Sequence, residues 1–213
     1  MASTSDTLAY GGVETFNSLS SGVQNVTTDF GTGGSVTGTY TDVSVVPADQ
    51  YGGAGGTGMY AEATFNTSYS LALSTTAATG INYFGAFVTS LDVANTVQFY
   101  NGNTLVGDLQ LSALLPASVT GNSAYDYNTA YYNINIGQTF VFINFLDTTG
   151  TFNKVVFSEP SSYEYGGSFE SDNHTVGFIA QGVPEPASWA LMILGTGLIG
   201  GLARRRRGAA ITA

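Results

Sequence analysis

Residues 35–46 read Ser-Val-Thr-Gly-Thr-Tyr-Thr-Asp-Val-Ser-Val-Val, a run of strand-forming residues that alternates with a period of two. The rhythm returns at Met59, Ala61, Ala63 and Phe65, which share one face, with Tyr60, Glu62 and Thr64 on the other. It returns again at Tyr69, Leu71 and Leu73. Asn101-Gly102 joins two such runs, residues 97–100 and 104–109, and both turn residues tolerate positive φ, so a hairpin is predicted there. Residues 139–146 form a nearly unbroken apolar run, expected at the centre of a sandwich. Thr148-Thr149-Gly150 is expected to turn that strand into residues 152–157 as a second hairpin. A last strand is predicted over residues 168–179, and residues 50–58 read as a flexible glycine loop. Only residues 109–115 could make a helical turn in the body. Short strands with turn signals roughly every eight to twelve residues predict an all-β fold, a single β-sandwich of jelly-roll type. No internal repeat of fixed period interrupts that pattern.

Composition agrees. Glycine is abundant at 28, the 13 Tyr and 13 Phe suit strands, and charged residues are only 9%. There is no cysteine, which excludes a disulfide framework, thiolate metal sites and cysteine nucleophiles. Such a domain must be held by its core alone. All four arginines lie at residues 204–207, so residues 1–203 carry one basic side chain, Lys154, against all 15 acidic ones. A body with a formal charge of −14 does not bind nucleic acid or anionic lipid through charge.

The C-terminal end obeys different rules. Pro184-Glu185-Pro186 is followed by Trp189, an uncharged run over residues 187–203, and then Arg204, Arg205, Arg206 and Arg207. A helix of that length spans about 25 Å, at the short limit for crossing a membrane. Trp189 suits the interface, and the arginines should stop the helix on the cytoplasmic side, placing residues 1–186 across the membrane from them. Pro184 and Pro186 keep the preceding segment extended and open to a processing enzyme. Three parts are therefore expected: a sandwich over residues 1–180, a linker over 181–186, and a tail over 184–208 with its transmembrane helix at 187–203. Gly197 and Gly201 form a G-x-x-x-G pair, a weak pattern for helix pairing.

In order, spacing and composition this tail resembles the PEP-CTERM sorting signal of Gram-negative bacteria. The resemblance implies an exosortase as partner, an integral-membrane cysteine protease that cleaves near the Pro-Glu-Pro motif. It implies a precursor held transiently in the inner membrane, then release to the cell surface or extracellular matrix, where biofilm and exopolysaccharide are the expected setting. Such a tail works with an N-terminal export signal. Residues 1–6 are polar, with no basic or apolar stretch, so that signal is expected upstream of Met1. Residues 48–56, 83–85, 90–92, 99–100, 105–107 and 170–177 also resemble a family of exosortase-dependent surface proteins whose molecular activity is unassigned. That resemblance supplies no catalytic residues.

Chemistry-bearing residues concentrate at residues 169–174, Phe-Glu-Ser-Asp-Asn-His. Strand alternation places Glu170, Asp172 and His174 on one face. That face reads either as the solvated outer face of an edge strand or as a Ca²⁺ site, since Ca²⁺ takes carboxylate and amide oxygens. First and last strands of jelly rolls often pair, which would bring Glu14 to the same place, with Asp49 and Asp92 as weaker additions. His174, the only histidine, has no G-x-S-x-G nucleophile to serve. Glu164, Glu170 and Asp172 could in principle supply a glycosidase pair, though any acidic β-protein offers as much. Tyr125, Tyr127, Tyr131, Tyr132, Tyr163 and Tyr165, in or near loops, are the candidates for stacking on sugar rings. The expectation is a non-enzymatic surface or matrix protein, with no cofactor beyond a possible Ca²⁺. The alternative is a carbohydrate-binding module, Ca²⁺-stabilised, that takes exopolysaccharide.

Overall fold

The structure is a computed structural model; it describes residues 8–31, 35–49, 51–89, 91, 94–114, 139–160 and 167–180. Eleven strands appear in chain order: β1 (Tyr10–Glu14), β2 (Gly22–Asp29), β3 (Val36–Pro47), β4 (Met59–Ala63), β5 (Thr67–Thr75), β6 (Tyr83–Thr89), β7 (Thr96–Asn101), β8 (Thr104–Gln110), β9 (Val141–Leu146), β10 (Lys154–Glu159) and β11 (Phe169–Phe178). One helical turn, α1 (Leu111–Leu114), falls where the sequence predicts it.

All pairings are antiparallel. The sheet runs β8-β7-β10-β5-β3-β4-β11-β6-β9, with β2 beside β3 and β1 beside β11. β4 is the corner. It pairs with β3 on one side and β11 on the other, so one curled sheet closes into two packed layers. Rings from the two halves meet between them: Phe157 of β10 stacks on His174 of β11 at 4.9 Å, and Phe84 of β6 meets Phe99 of β7 at 5.9 Å. The alternation read from the sequence sets this core. Val36, Tyr40, Val43 and Val45 of β3 are buried, as are Tyr69, Leu71 and Leu73 of β5. Each fully buried aromatic or aliphatic side chain stabilises the fold by roughly 1.5–3 kcal/mol.

The Asn101-Gly102 hairpin forms as predicted, with Gly102 at φ 59 and Asn101 opposite Thr104. Three sequence expectations fail. β9 is not central: it ends the strand order, pairs with β6 alone among the described residues, and is only half-buried. Nor do β9 and β10 form a hairpin. β10 pairs with β5 and β7, so residues 147–153 carry the chain from one layer to the other. The turn chemistry was read correctly, but a tight turn does not dictate that its flanking strands pair. Phe65, expected to continue the face of Ala61 and Ala63, sits in the turn after β4 and is exposed. The glycine loop is tied down: Ala48 N–H donates to Gly58 O at 2.9 Å, and Ala54–Gly56 makes one 3₁₀ turn.

The chain divides into two units, residues 1–179 and 180–213. The expected tail helix, Pro184, Glu185, Pro186 and Arg204 to Arg207 lie outside the described residues. No helix among the described residues is long and apolar enough to cross a membrane.

Candidate functional site

The predicted cluster sits on β11, and its surroundings differ from the expectation. β11 is not an edge strand: β4 and β1 lie end to end along one side of it and β6 along the other. Glu14 pairs opposite His174, as the first-and-last-strand argument anticipated. Glu170, Asp172 and His174 are 4%, 3% and 0% exposed, which rules out a solvated face.

The three do not share a face either. Asn173 adopts φ 52, and the register with β6 shifts between Asp172 and Thr175. This bulge inserts one residue and breaks the alternation. Ser171 and His174, three apart, both turn into the core. His174 Nε2 lies 3.0 Å from Ser171 Oγ, His174 Nδ1 lies 3.0 Å from Tyr40 Oη, and Tyr69 Oη lies 2.8 Å from Ser171 Oγ. A neutral imidazole has one donor and one acceptor nitrogen, so one neighbouring hydroxyl donates to the ring and the other accepts. Phe157 stacks on the imidazole, and Phe16 meets it edge-on at 5.0 Å. Burial in this cage drops the His174 pKa to about 3. Burial likewise raises the Tyr40 and Tyr69 hydroxyls well above their ordinary value. Held neutral and sealed, His174 is a core side chain.

Asp172 turns instead to the glycine loop. Its Oδ2 accepts Ala54 N–H at 2.8 Å and its Oδ1 accepts Asn173 N–H at 2.6 Å. Burial outweighs these donors and pushes its pKa up to about 6, with the Glu14 charge adding to the rise. Glu14 is equally committed. Its Oε1 accepts Phe16 N–H at 2.6 Å, and its Oε2 accepts Thr28 Oγ1–H at 2.5 Å. Glu170 lies directly across from Glu62 on β4 and Thr89 on β6. Asp49 closes the loop's first turn, accepting Tyr51 N–H at 2.8 Å and Tyr60 Oη–H at 3.2 Å.

These placements do not fit Ca²⁺. The oxygens of Glu14 and Asp172 are spent on backbone and hydroxyl donors. Among the described residues no group of three His, Asp or Glu side chains is arranged to hold a metal. Asp92, Glu164 and the six loop tyrosines from Tyr125 to Tyr165 lie outside the described residues. Of the described tyrosines Tyr51 alone is exposed; Tyr40, Tyr60, Tyr69 and Tyr83 are buried. The sequence reading missed Ser171, Tyr40 and Tyr69 as partners of His174. The available signal was Asn173, a residue that tolerates positive φ in the middle of a strand pattern.

The described body is an antiparallel all-β fold, which defines the class of protein. The comparisons add the sorting address: residues 182–207 match the family model described as the PEP-CTERM protein-sorting motif. The chain therefore carries a PEP-CTERM sorting signal, which implies an exported protein with a membrane-anchored precursor stage, processed by an exosortase. No curated protein matches the chain. Among solved structures it is similar to the K2 cleaved adhesin domain of Lys-gingipain (Kgp), with a TM-score of 0.42 and 14% identity over 78% of this chain and 97% of that one.

Proposed function

We propose that this chain is a non-enzymatic protein of the cell surface or extracellular matrix of a Gram-negative bacterium. Its precursor passes through the inner membrane, held by residues 187–203, until an exosortase cuts near Pro184-Glu185-Pro186. The observation that carries this reading is the sorting motif at residues 182–207. Removal of the tail takes away all four arginines and leaves a strongly acidic body, which suits a protein that must stay soluble in an exopolysaccharide matrix. The non-enzymatic part is supported by His174, the sole histidine, sealed in the core, and by Glu14 and Asp172, whose oxygens are held by internal donors.

The test is to replace the motif in the natural host with Pro184→Ala, Glu185→Ala and Pro186→Ala together. The variant should accumulate at full length in the inner membrane fraction, while the parent appears shortened outside the cell. Release of the variant at the parent's rate would sink the proposal.

A further inference from the structure

At the corner of the sheet, β4 and β5 follow one another along the same side of β3 and part around the turn at residues 64–66. On the facing strand, Asp42 adopts φ 59, where the β2–β3 register shifts; its N–H donates to Asn25 Oδ1 at 2.8 Å. Between these two interruptions lies a groove of about 330 Å³, within the size range of small-molecule sites.

Its polar groups are open. The carboxylates of Asp42 and Glu62 and the hydroxyls of Ser44 and Ser68 line it, and none of the four makes a side-chain hydrogen bond to another described residue. The opposite wall is ordered: Thr67 Oγ1–H donates to Thr64 O at 2.7 Å, which fixes both threonines at the rim. Val23, 71% exposed, completes the lining, and Phe65, 44% exposed, stands beside Thr64 in the same turn. Ser44 lies directly between Val23 and Glu62 in the strand register, so apolar, hydroxyl and carboxylate groups follow one another across three strands.

We propose that this groove binds a saccharide. A carboxylate accepts hydrogen bonds from sugar hydroxyls, and such charge-assisted bonds are the stronger kind. Serine and threonine hydroxyls both donate and accept, as a polyol requires. Val23 offers apolar surface to the C–H face of a sugar ring. A metal ion is the wrong occupant, because a cation needs oxygens converging on one point and no such group of three exists among the described residues. The inference goes beyond the sorting reading and stands on the groove alone.

The experiment is an amide-shift titration of the isotope-labelled full-length chain in a zwitterionic detergent. The probes are soluble oligosaccharides of glucose, galactose, mannose and N-acetylglucosamine, with spermidine as a cationic probe. At least one saccharide should shift the amides of Ser44, Glu62, Thr64, Thr67 and Ser68. Glu62→Gln and Asp42→Asn should each weaken it about tenfold, the effect of one lost bond to a charged group. Asparagine tolerates the positive φ at position 42, so the fold is kept. Asp108→Asn, on the exposed strand β8, should leave binding unchanged. No shift with any of the saccharides overturns the proposal. So does a response to spermidine alone, which would mark a site for basic ligands, or an affinity that neither substitution moves. Because binding is read on purified chain, failure here leaves the sorting result untouched.

Discussion

Around His174 the polar side chains answer one another inside the molecule, whereas in the groove beside Asp42 the carboxylates and serines face solvent. The residue types overlap: hydroxyls and ionisable groups held on strands. Partners make the difference. Tyr40 and Ser171 complete the imidazole's hydrogen bonds, Tyr69 closes on Ser171, and aromatic rings shut out water. In the groove, Asp42, Ser44, Glu62 and Ser68 make no side-chain hydrogen bond to another described residue. The first arrangement stabilises the sandwich; the second leaves free energy available for a ligand.

The largest contrast is in stability. His174→Ala removes a stacked ring and leaves the buried Tyr40 hydroxyl without its partner, so it should lower the unfolding free energy by about 3–5 kcal/mol. Glu62→Gln at the groove should change it by less than about 0.5 kcal/mol, as surface substitutions do. Urea denaturation of both variants checks this, and similar losses would erase the distinction.

The next test uses pH and separates the two sides of β11. His174 has an ordinary pKa of 6.5 and a folded value of about 3. Its neutral form is what the fold accepts, so its contribution is complete above pH 6.5 and is lost as pH falls toward 3. Asp172 runs the other way, with an ordinary value of 3.8 raised to about 6. Its contribution is complete below pH 3.8 and is lost as pH rises through 6. Between these limits the two slopes oppose each other. His174→Phe should therefore leave stability falling more steeply from pH 4 to 6 than in the parent. Asp172→Asn should tilt the same stretch the opposite way. Urea midpoints across that range measure both tilts, and parallel curves would show that neither burial matters.

A smaller effect than that of His174→Ala belongs to the bulge that parts the two sides. Asn173→Ala puts a Cβ without a helpful amide at φ 52 and should cost about 1–2 kcal/mol, while Asn173→Gly should be nearly neutral. Equal losses for both in thermal melts would mean that the amide, and not the backbone angle, holds the bulge.

Much of the body was legible in the sequence because strand alternation is local. Residues 35–46, the Asn101-Gly102 hairpin and the helical turn near Leu111 each depend on neighbours a few positions away. β9 was misplaced for the same reason. An apolar run says that a strand is buried, and a residue such as Phe145 can bury its ring against Phe99 from a strand at the end of the order. The candidate site was half legible: Glu14 was rightly brought to β11, but one extra residue at Asn173 reversed the facing of His174.

The sequence by itself determined the all-β class, the acidic cysteine-free body and the sorting signal, since periodicity, charge and a linear motif need no tertiary contact to be read. Tertiary structure alone decided which polar residues are spent and which are open. That choice depends on what lies opposite each side chain across strands far apart in the chain, as Tyr40 lies against His174 and Ser44 against Glu62.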